Sequence, residues 1–428
     1  MFHNKRFLIL ILISFALLFS AMFSQNADIA WMMIPFLIVI GTVLIQGPET
    51  GLLNLQVTRS AEKTHEEGAA CIEITLTIEN HGPALQRVTL SDLLPKGTSL
   101  INGKLEQTLR LKSGETGTYH YTLQAERGLY NWQSIQVTVA DWLGINQKVV
   151  RYPCEAEVQV QPQIKKFRAF TLRPQSTLHT AGSIPARRAG RGIQFWGVRE
   201  YHPGDPLTHL DWRLTARHPH QFFTKENEQE EIADIGLVLD ARQTTNIKVG
   251  KDCIFEHSVN ATASLAEVFL RQGNRVSLLI YGEPMVFLYP GYGKNQLNKI
   301  LYTLSQASID SNRSPDSFIY LPTNVFSSHS LLIFVSPLAP MDHKLFPRLR
   351  ALNFQVLLIS PNPMQYARRL INRKPASQLA LHLTEMDHLM EILKISNLWI
   401  PIIDWSVDQP LAPLVRQALN GMHIQRQH

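Results

Sequence analysis

The side chains richest in chemistry lie in one stretch, Gly192-Ile-Gln-Phe-Trp-Gly-Val-Arg-Glu-Tyr-His-Pro-Gly-Asp205, continued by Leu210-Asp-Trp-Arg-Leu-Thr-Ala-Arg217. Arg199, Arg213 and Arg217 offer guanidinium forks; Glu200, Asp205 and Asp211 offer carboxylates. Beside an aromatic such as Trp212, these groups make two-pronged, partly buried ion pairs. They are expected to form one charge-paired cluster that folds the segment back. With Tyr201, Gly204 and Trp212 they are the candidate site, either structural or partner-binding. No catalytic residue is expected. No nucleophile stands with an evident base, as a Gly-x-Ser-x-Gly turn or a Cys/His set would supply, and there is no phosphate loop. His202, His209, His218 and His220 cluster in sequence, and His218-x-His220 has the form of a metal pair. No carboxylate or Cys stands at a supporting spacing, so packing or surface roles are expected.

Charge is concentrated in the same region. From Lys165 to Arg217 ten basic residues meet three acids, a net +7, against +6 for the whole chain. An acidic run follows at once, with Glu226, Glu228, Glu230, Glu231 and Asp234. A basic stretch can serve nucleic acid or anionic lipid. Next to an acidic run, and without a helix-turn-helix, finger or aromatic RNA-binding signature, it points instead to mutual pairing or a protein partner. Neither nucleic acid nor a small-molecule substrate is expected.

Two differently built parts must hold this segment. Over 52–161 the chain reads as short strands. Cys71 to Ile78 alternates apolar and polar residues, Asn80-His-Gly-Pro83 turns, and Leu85 to Leu90, Thr118 to Leu123 and Ile135 to Val139 repeat the pattern. That predicts an antiparallel, immunoglobulin-like β-sandwich. From Ile235 the grammar changes. Ile235 to Leu239, Leu331 to Val335, Val356 to Ile359 and Leu398 to Ile403 are short apolar runs suited to strands buried on both faces. Val276 to Tyr281 is a further strand, with Met285 to Tyr289 as its hairpin partner. Helical spacing appears over Ile254 to Arg271, Leu297 to Leu304, Lys344 to Leu352, Glu385 to Leu393 and Leu411 to Leu419. Strands alternating with helices predict a mostly parallel, covered sheet over 231–428. The signature segment, 162–230, is expected to pack on it.

Ahead of these lies an apolar start, 1–48. Phe7–Phe23 and Ile29–Ile45 are uncharged apolar runs of 17 residues, with Asp28 the only formal charge between Arg6 and Glu49. Each is at the short end of what crosses a hydrocarbon core, and Pro35 is tolerable inside such a span. A cleaved signal peptide is disfavoured, because the second run follows after five residues. The expectation is a transmembrane helical hairpin in the cell membrane. Lys5 and Arg6 precede the first span and the turn has no basic residue, so the soluble domains are expected to face the cytoplasm. Cys71, Cys154 and Cys253, an odd and sparse set, suit a reducing compartment.

The stretch quoted first, coupling Arg199-Glu-Tyr…Gly204-Asp205 to Asp211-Trp-Arg…Ala216-Arg217, resembles the signature of the bacterial family called domain of unknown function 58. The order of parts is similar too: membrane hairpin, β-sandwich, signature, then a von Willebrand factor A-like, Rossmann-type α/β domain. Where the family often has a Pro-Arg pair before Asp-Trp, this chain reads Pro206-Leu-Thr-His209. The resemblance implies a docking module rather than a reaction, with a MoxR-type AAA+ ATPase as partner. In working von Willebrand A domains an Asp-x-Ser-x-Ser turn, a Thr and a later Asp bind Mg²⁺ through oxygen, as a hard cation requires. Here the turn reads Asp240-Ala-Arg242-Gln-Thr244, Pro337 stands where the later Asp is sought, and Pro290-Gly-Tyr-Gly-Lys294 replaces the Thr loop. The site is expected to be degenerate, with no cofactor. A non-enzymatic, membrane-tethered docking or scaffold protein is therefore expected. The alternatives are a Mg²⁺-dependent enzyme or adhesion domain using Asp240 and Thr244, and an assembly factor of a larger membrane complex.

Overall fold

The alternation of Cys71 to Ile78 becomes the middle of a long strand in the computed structural model of the chain, with Ile72, Ile74, Leu76 and Ile78 wholly buried. The structure describes residues 5–24, 27–45, 54–66, 69–140, 147–165, 167, 184–218, 220–231, 233–249, 252–309, 318–370 and 375–424. Lys166, Arg168 and Arg173 of the basic stretch lie outside them. The chain divides into two compact units, Met1–Val160 and Gln161–His428.

The first unit opens with α1 (Lys5–Ser24), α2 (Ala27–Trp31) and α3 (Ile34–Ile45). The second apolar run is thus divided between α2 and α3. Pro35 has no N–H to offer the carbonyl of Trp31, and its ring crowds that carbonyl. The helix breaks there and restarts where Leu37 N–H donates to Met33 O at 3.0 Å. Among the described residues no helix is both long and apolar enough to cross a membrane. Leu8, Leu12, Phe15, Phe19 and Phe23 of α1 are nevertheless exposed.

Eight strands follow: β1 (Leu55–Glu66), β2 (Ala69–Asn80), β3 (Leu85–Ser91), β4 (Thr98–Asn102), β5 (Glu106–Leu111), β6 (Thr116–Ala125), β7 (Gly128–Ala140) and β8 (Gln147–Val160). They form two four-stranded antiparallel sheets, ordered β1-β2-β6-β4 and β5-β3-β7-β8. Their inward side chains share one core, including Leu76, Val88, Leu123, Trp132 and Val137. Inside it lies a charged pair that the alternation does not announce. Arg59 Nη2 donates to both oxygens of Asp92 at 2.7 and 2.8 Å, and Tyr121 Oη donates to Asp92 Oδ2 at 2.7 Å. Burial, then the Asp92 charge, pushes the Tyr121 hydroxyl far above its ordinary value.

The second unit begins with a ribbon of β9 (Ile184–Glu200) and β10 (Phe223–Glu231), joined through α4 (Trp212–Thr215). A six-stranded sheet follows, built from β11 (Asp234–Asp240), β14 (Arg275–Tyr281), β15 (Val286–Gly291), β16 (Leu331–Val335), β17 (Gln355–Pro361) and β18 (Ile402–Trp405). A two-residue pair, β12 (Lys248–Val249) and β13 (Asp252–Cys253), precedes the first large helix. The order is β15-β14-β11-β16-β17-β18, parallel throughout except for β15. Helices α5 (Ile254–Arg271), α6 (Gly293–Gln306), α8 (Met364–Leu370) and α10 (Leu411–Ile424), together with α7 (Leu345–Ala351) and α9 (Pro375–Ser396), complete the unit. Ile235, Leu237 and Leu239 join the core under α5, α6 and α10, while Val238 faces the other core with Phe334 and Phe346 of α7. Such two-sided burial explains why β11, β14 and β16 read as apolar runs without alternation.

Two elements differ from the sequence expectation. The run from Leu398 yields a strand only at Ile402, because α9 continues to Ser396 and Trp399 takes a left-handed φ of 57°. Pro290 lies inside β15, and Gly293 opens α6, so no free loop exists there to supply a ligand. Cys71, Cys154 and Cys253 are buried free thiols.

The Arg59–Asp92 pair yields a test. Asp92→Ala leaves a buried guanidinium without its partner and is expected to cost about 3–5 kcal/mol. Tyr121→Phe, which removes one hydrogen bond to the carboxylate, is expected to cost about 1.5–3 kcal/mol. Urea unfolding followed by Trp132 fluorescence measures both; equal, sub-kilocalorie effects would show the pair to be dispensable.

Candidate functional site

The signature folds as a small platform stitched to the start of β10. Tyr201 N–H donates to Phe222 O and Asp211 N–H donates to Phe223 O, each at 2.8 Å. Gly204, at φ 110°, makes the turn between them, a conformation open to glycine and strained for other residues. Arg199 is its clamp. Nη1 and Nη2 donate to the two oxygens of Asp205 at 2.8 and 2.7 Å, and Nε donates to Glu226 Oε1 at 2.7 Å. The hydrogen bonds from Arg199, then the His202 N–H, hold the Asp205 carboxyl well below the usual carboxylate range, at about 2.

The expected six-membered cluster is therefore only partly formed. Arg199 and Asp205 meet, and Glu226 from the acidic run joins them. Asp211 instead caps α4, accepting from the N–H groups of Arg213 and Leu214 at 3.0 and 3.1 Å. Glu200 contributes its carbonyl, to Arg199 Nη1 at 2.9 Å. Arg213, Arg217 and Trp212 point to solvent. The reason is local: a carboxylate at a helix start is drawn to the unpaired N–H groups there. Of the four histidines, His202 lies against Arg199 and His218 packs on Phe223. Among the described residues no three His, Cys, Asp or Glu side chains form a metal cluster.

Around the clamp the large apolar side chains stay in water. Phe195 is 63 % exposed, Leu207 67 %, Trp212 65 % and Phe222 58 %, while Tyr201 packs edge-on against Phe222. Aromatics left exposed on a hydrogen-bonded frame are the anchor type that protein interfaces use most.

A second constellation lies at the carboxyl ends of β11 and β16, where the strand order reverses. In open α/β sheets this is where ligands bind. Here the crevice is filled from within. Arg242 is wholly buried, and its Nε and Nη2 donate to Asp240 Oδ1 and Oδ2 at 2.9 and 2.8 Å. On its other side Nη1 and Nη2 donate to Asp342 Oδ1 and Oδ2 at 3.1 and 2.8 Å. Thr245 Oγ1 and Ser336 Oγ donate to Asp240 Oδ2 at 3.0 and 2.6 Å, and the N–H groups of Phe318 and Ala339 donate to Asp342 at 3.0 and 2.7 Å. The Phe318 ring lies 4.0 Å from the guanidinium carbon, a cation–π stack. Burial alone would lower the Arg242 value; the Asp240 and Asp342 charges outweigh it and raise it. Burial pushes the Asp342 carboxyl above its ordinary value, and the hydrogen bonds from Arg242, its charge and the Ala339 and Phe318 N–H groups oppose that rise.

Two sequence assignments are corrected here. The hydroxyl on Asp240 is that of Thr245, not Thr244, since the turn places residue 245 under the carboxylate. The later acid exists: it is Asp342, six residues beyond Ser336, reached through left-handed Leu338 and Met341 at φ 65° and 75°. Ser336 and Asp342 carried no spacing signal, because two non-glycine residues must take a strained backbone to bring the acid back. The residues do not fit a divalent cation. Both Asp240 oxygens and both Asp342 oxygens are turned onto the guanidinium, which brings its own charge to the centre.

Two tests follow. Arg242→Ala leaves two buried carboxylates uncompensated, a loss of about 3–5 kcal/mol. Arg242→Lys is expected to recover little of it, because an ammonium lacks the fork that serves both acids. Urea unfolding of the three proteins decides, and full recovery by Lys would sink the geometric argument. For Asp205 the folded value lies below the unfolded one. Its contribution is thus complete above about pH 4 and is lost as pH falls through about 2. Carboxyl ¹³C shifts of Asp205 that titrate near 4 would contradict the clamp.

Comparison with known proteins agrees on one point. Residues 197–318 match the family described as Protein of unknown function DUF58. The chain is 25 % identical over 291 residues, 66 % of its own length and 69 % of the relative's, to the "Uncharacterized protein YeaD" of Bacillus subtilis (strain 168). Among solved structures it is similar to a FixG-related protein from Vibrio parahaemolyticus, at 18 % identity and a TM-score of 0.17, covering 24 % of this chain and 94 % of that one. A β-glucosidase from Kluyveromyces marxianus gives 18 % identity and a TM-score of 0.11 over 25 % of this chain and 15 % of that one. Scores this low carry no argument about fold or activity. The platform that holds Arg199, Asp205 and Trp212 and the turn that holds Asp240 and Arg242 both lie within residues 197–318, the part of the chain similar to the DUF58 family.

Proposed function

We propose that this chain is a non-enzymatic docking protein whose signature platform binds a protein partner. One observation carries the reading: Phe195, Leu207, Trp212 and Phe222 are held in water around a frame fixed by the Arg199–Asp205–Glu226 clamp. Exposing four large apolar groups between residues 195 and 222 costs solvation unless another surface covers them. Arg213 and Arg217 beside them add charge that suits an acidic rim on the partner.

The six-stranded sheet with its reversal between β11 and β16 supports reading the second unit as von Willebrand factor A-like, a class associated with docking. The resemblance nominates a MoxR-type AAA+ ATPase as the partner. The exposed apolar side chains of α1 support attachment to a membrane, and Lys5 and Arg6 favour a cytoplasmic orientation by the charge rule. The competing Mg²⁺ reading through Asp240 and Thr244 finds no support in the geometry, because Arg242 takes the carboxylate and Thr244 does not reach it.

Affinity capture from a mild detergent extract tests the proposal. The intact chain is expected to recover an AAA+ ATPase, and Trp212→Ala, an exposed position, to lower the yield about tenfold or more while leaving folding unchanged. Capture of no ATPase with or without ATP, or equal capture by the variant, would overturn it.

A further inference from the structure

Far along the chain from the platform, the six-stranded sheet ends in an open edge. Among the described residues β18 pairs with β17 alone. The carbonyls of Pro401 and Trp405 accept from Leu358 and Asn362 N–H at 3.0 and 2.8 Å. In a parallel ladder alternate residues direct their amide and carbonyl to opposite sides. Ile402 and Asp404 therefore turn theirs outward. A groove of about 830 Å³ opens there, lined by Ile402 and Asp404 of β18, Ile392 and Ser396 of α9 and Leu414 and Ala418 of α10. The volume is that of a ligand site rather than a packing defect.

The groove carries a specific charge pattern. Among the described residues Asp404 is the one charged residue that lines it, and its side chain is 39 % exposed. Asn362 Nδ2 donates to Asp404 Oδ2 at 3.3 Å. Behind the carboxylate, 4.0 Å away, stands His388 Nε2, a buried nitrogen with no hydrogen-bond partner. Trp399, 73 % exposed and in the left-handed region, lines the groove as well. A bulky aromatic held there is strained, and such strain persists where the surroundings fix it.

We propose that this edge groove binds an extended segment of a protein partner, added as a seventh strand beside β18 with a Lys or Arg of the segment paired to Asp404. Outward amides and carbonyls on a strand are met by another strand; a helix has already satisfied its own. The apolar walls select apolar side chains at alternate positions, and the single acid selects a base. A second copy of this chain is disfavoured, since its own β18 would bring a second Asp404 to the same edge. The site is independent of the Trp212 platform.

The probe is a fluorescent heptapeptide alternating Val and Lys, titrated by anisotropy against the full chain in detergent. Binding is expected, weakened about tenfold when Glu replaces Lys. Asp404→Asn is expected to erase that difference between the two peptides. N-methylation of alternate amides is expected to weaken binding about tenfold on one edge of the peptide and not on the other, since one edge alone faces β18. No binding at about 1 mM peptide, or equal effects of methylation on both edges, overturns the proposal. So does self-association of the chain that Asp404→Lys abolishes and that excludes the peptide, which would assign the edge to a second copy.

Discussion

Arg242, gripped between Asp240 and Asp342, is the interaction on which the second unit depends. It ties the end of β11 to the loop after β16 and, through the Phe318 N–H and ring, to the segment before that strand. These pieces meet at the point of the sheet where parallel strands leave a natural crevice. A crevice lined by two acids would otherwise need water or a cation. The guanidinium closes it instead with a charge that cannot be lost, since arginine does not deprotonate in proteins. The arrangement is cooperative in the unfavourable sense: take away one member and the others are buried charges without a partner.

The same chemistry recurs at three depths. In the sandwich Arg59 holds Asp92 across a core of aliphatic side chains, with Tyr121 completing the acid. In the sheet Arg242 serves two acids. On the surface Arg199 holds Asp205 and Glu226 in partial contact with water. Arg199 and Arg242 meet a carboxylate with two nitrogens of the planar fork, which fixes direction as well as distance, whereas Arg59 reaches both Asp92 oxygens through Nη2 alone. The buried pairs specify how strands and loops close. The exposed pair contributes less energy, because solvent screens it; beside it Phe195, Trp212 and Phe222 stay exposed.

How much of this was legible depended on whether the signal was local. The sandwich strand at Cys71 to Ile78 announced itself by alternation, because one face is buried and period two follows from the pleat. Helix α5 was legible from end to end, since its apolar residues repeat at helical spacing over Ile254 to Arg271. The strand assigned from Leu398 was not: Leu398 and Ile400 pack with Ile395 of α9 in the core, so their apolar character reflects packing around a helix end. The Arg199–Asp205 pair, six residues apart, was readable as a turn. Its third member, Glu226, lies on the partner strand and was visible only as one acid among several.

What the sequence by itself determined is the partition of the chain into an apolar start, an alternating β region, a charged aromatic signature and an α/β region. It also determined that the turn after β11 carries an arginine where a hydroxyl would otherwise stand. These follow from composition and short-range periodicity, which the chain carries whatever its fold. The tertiary structure alone decided that Arg242 finds a second acid 100 residues away, that Asp211 caps a helix instead of joining the clamp, and that β18 is left with an open edge. Each depends on which segments the sheet order makes neighbours, and strand order is set by the packing of the whole core rather than by any one segment.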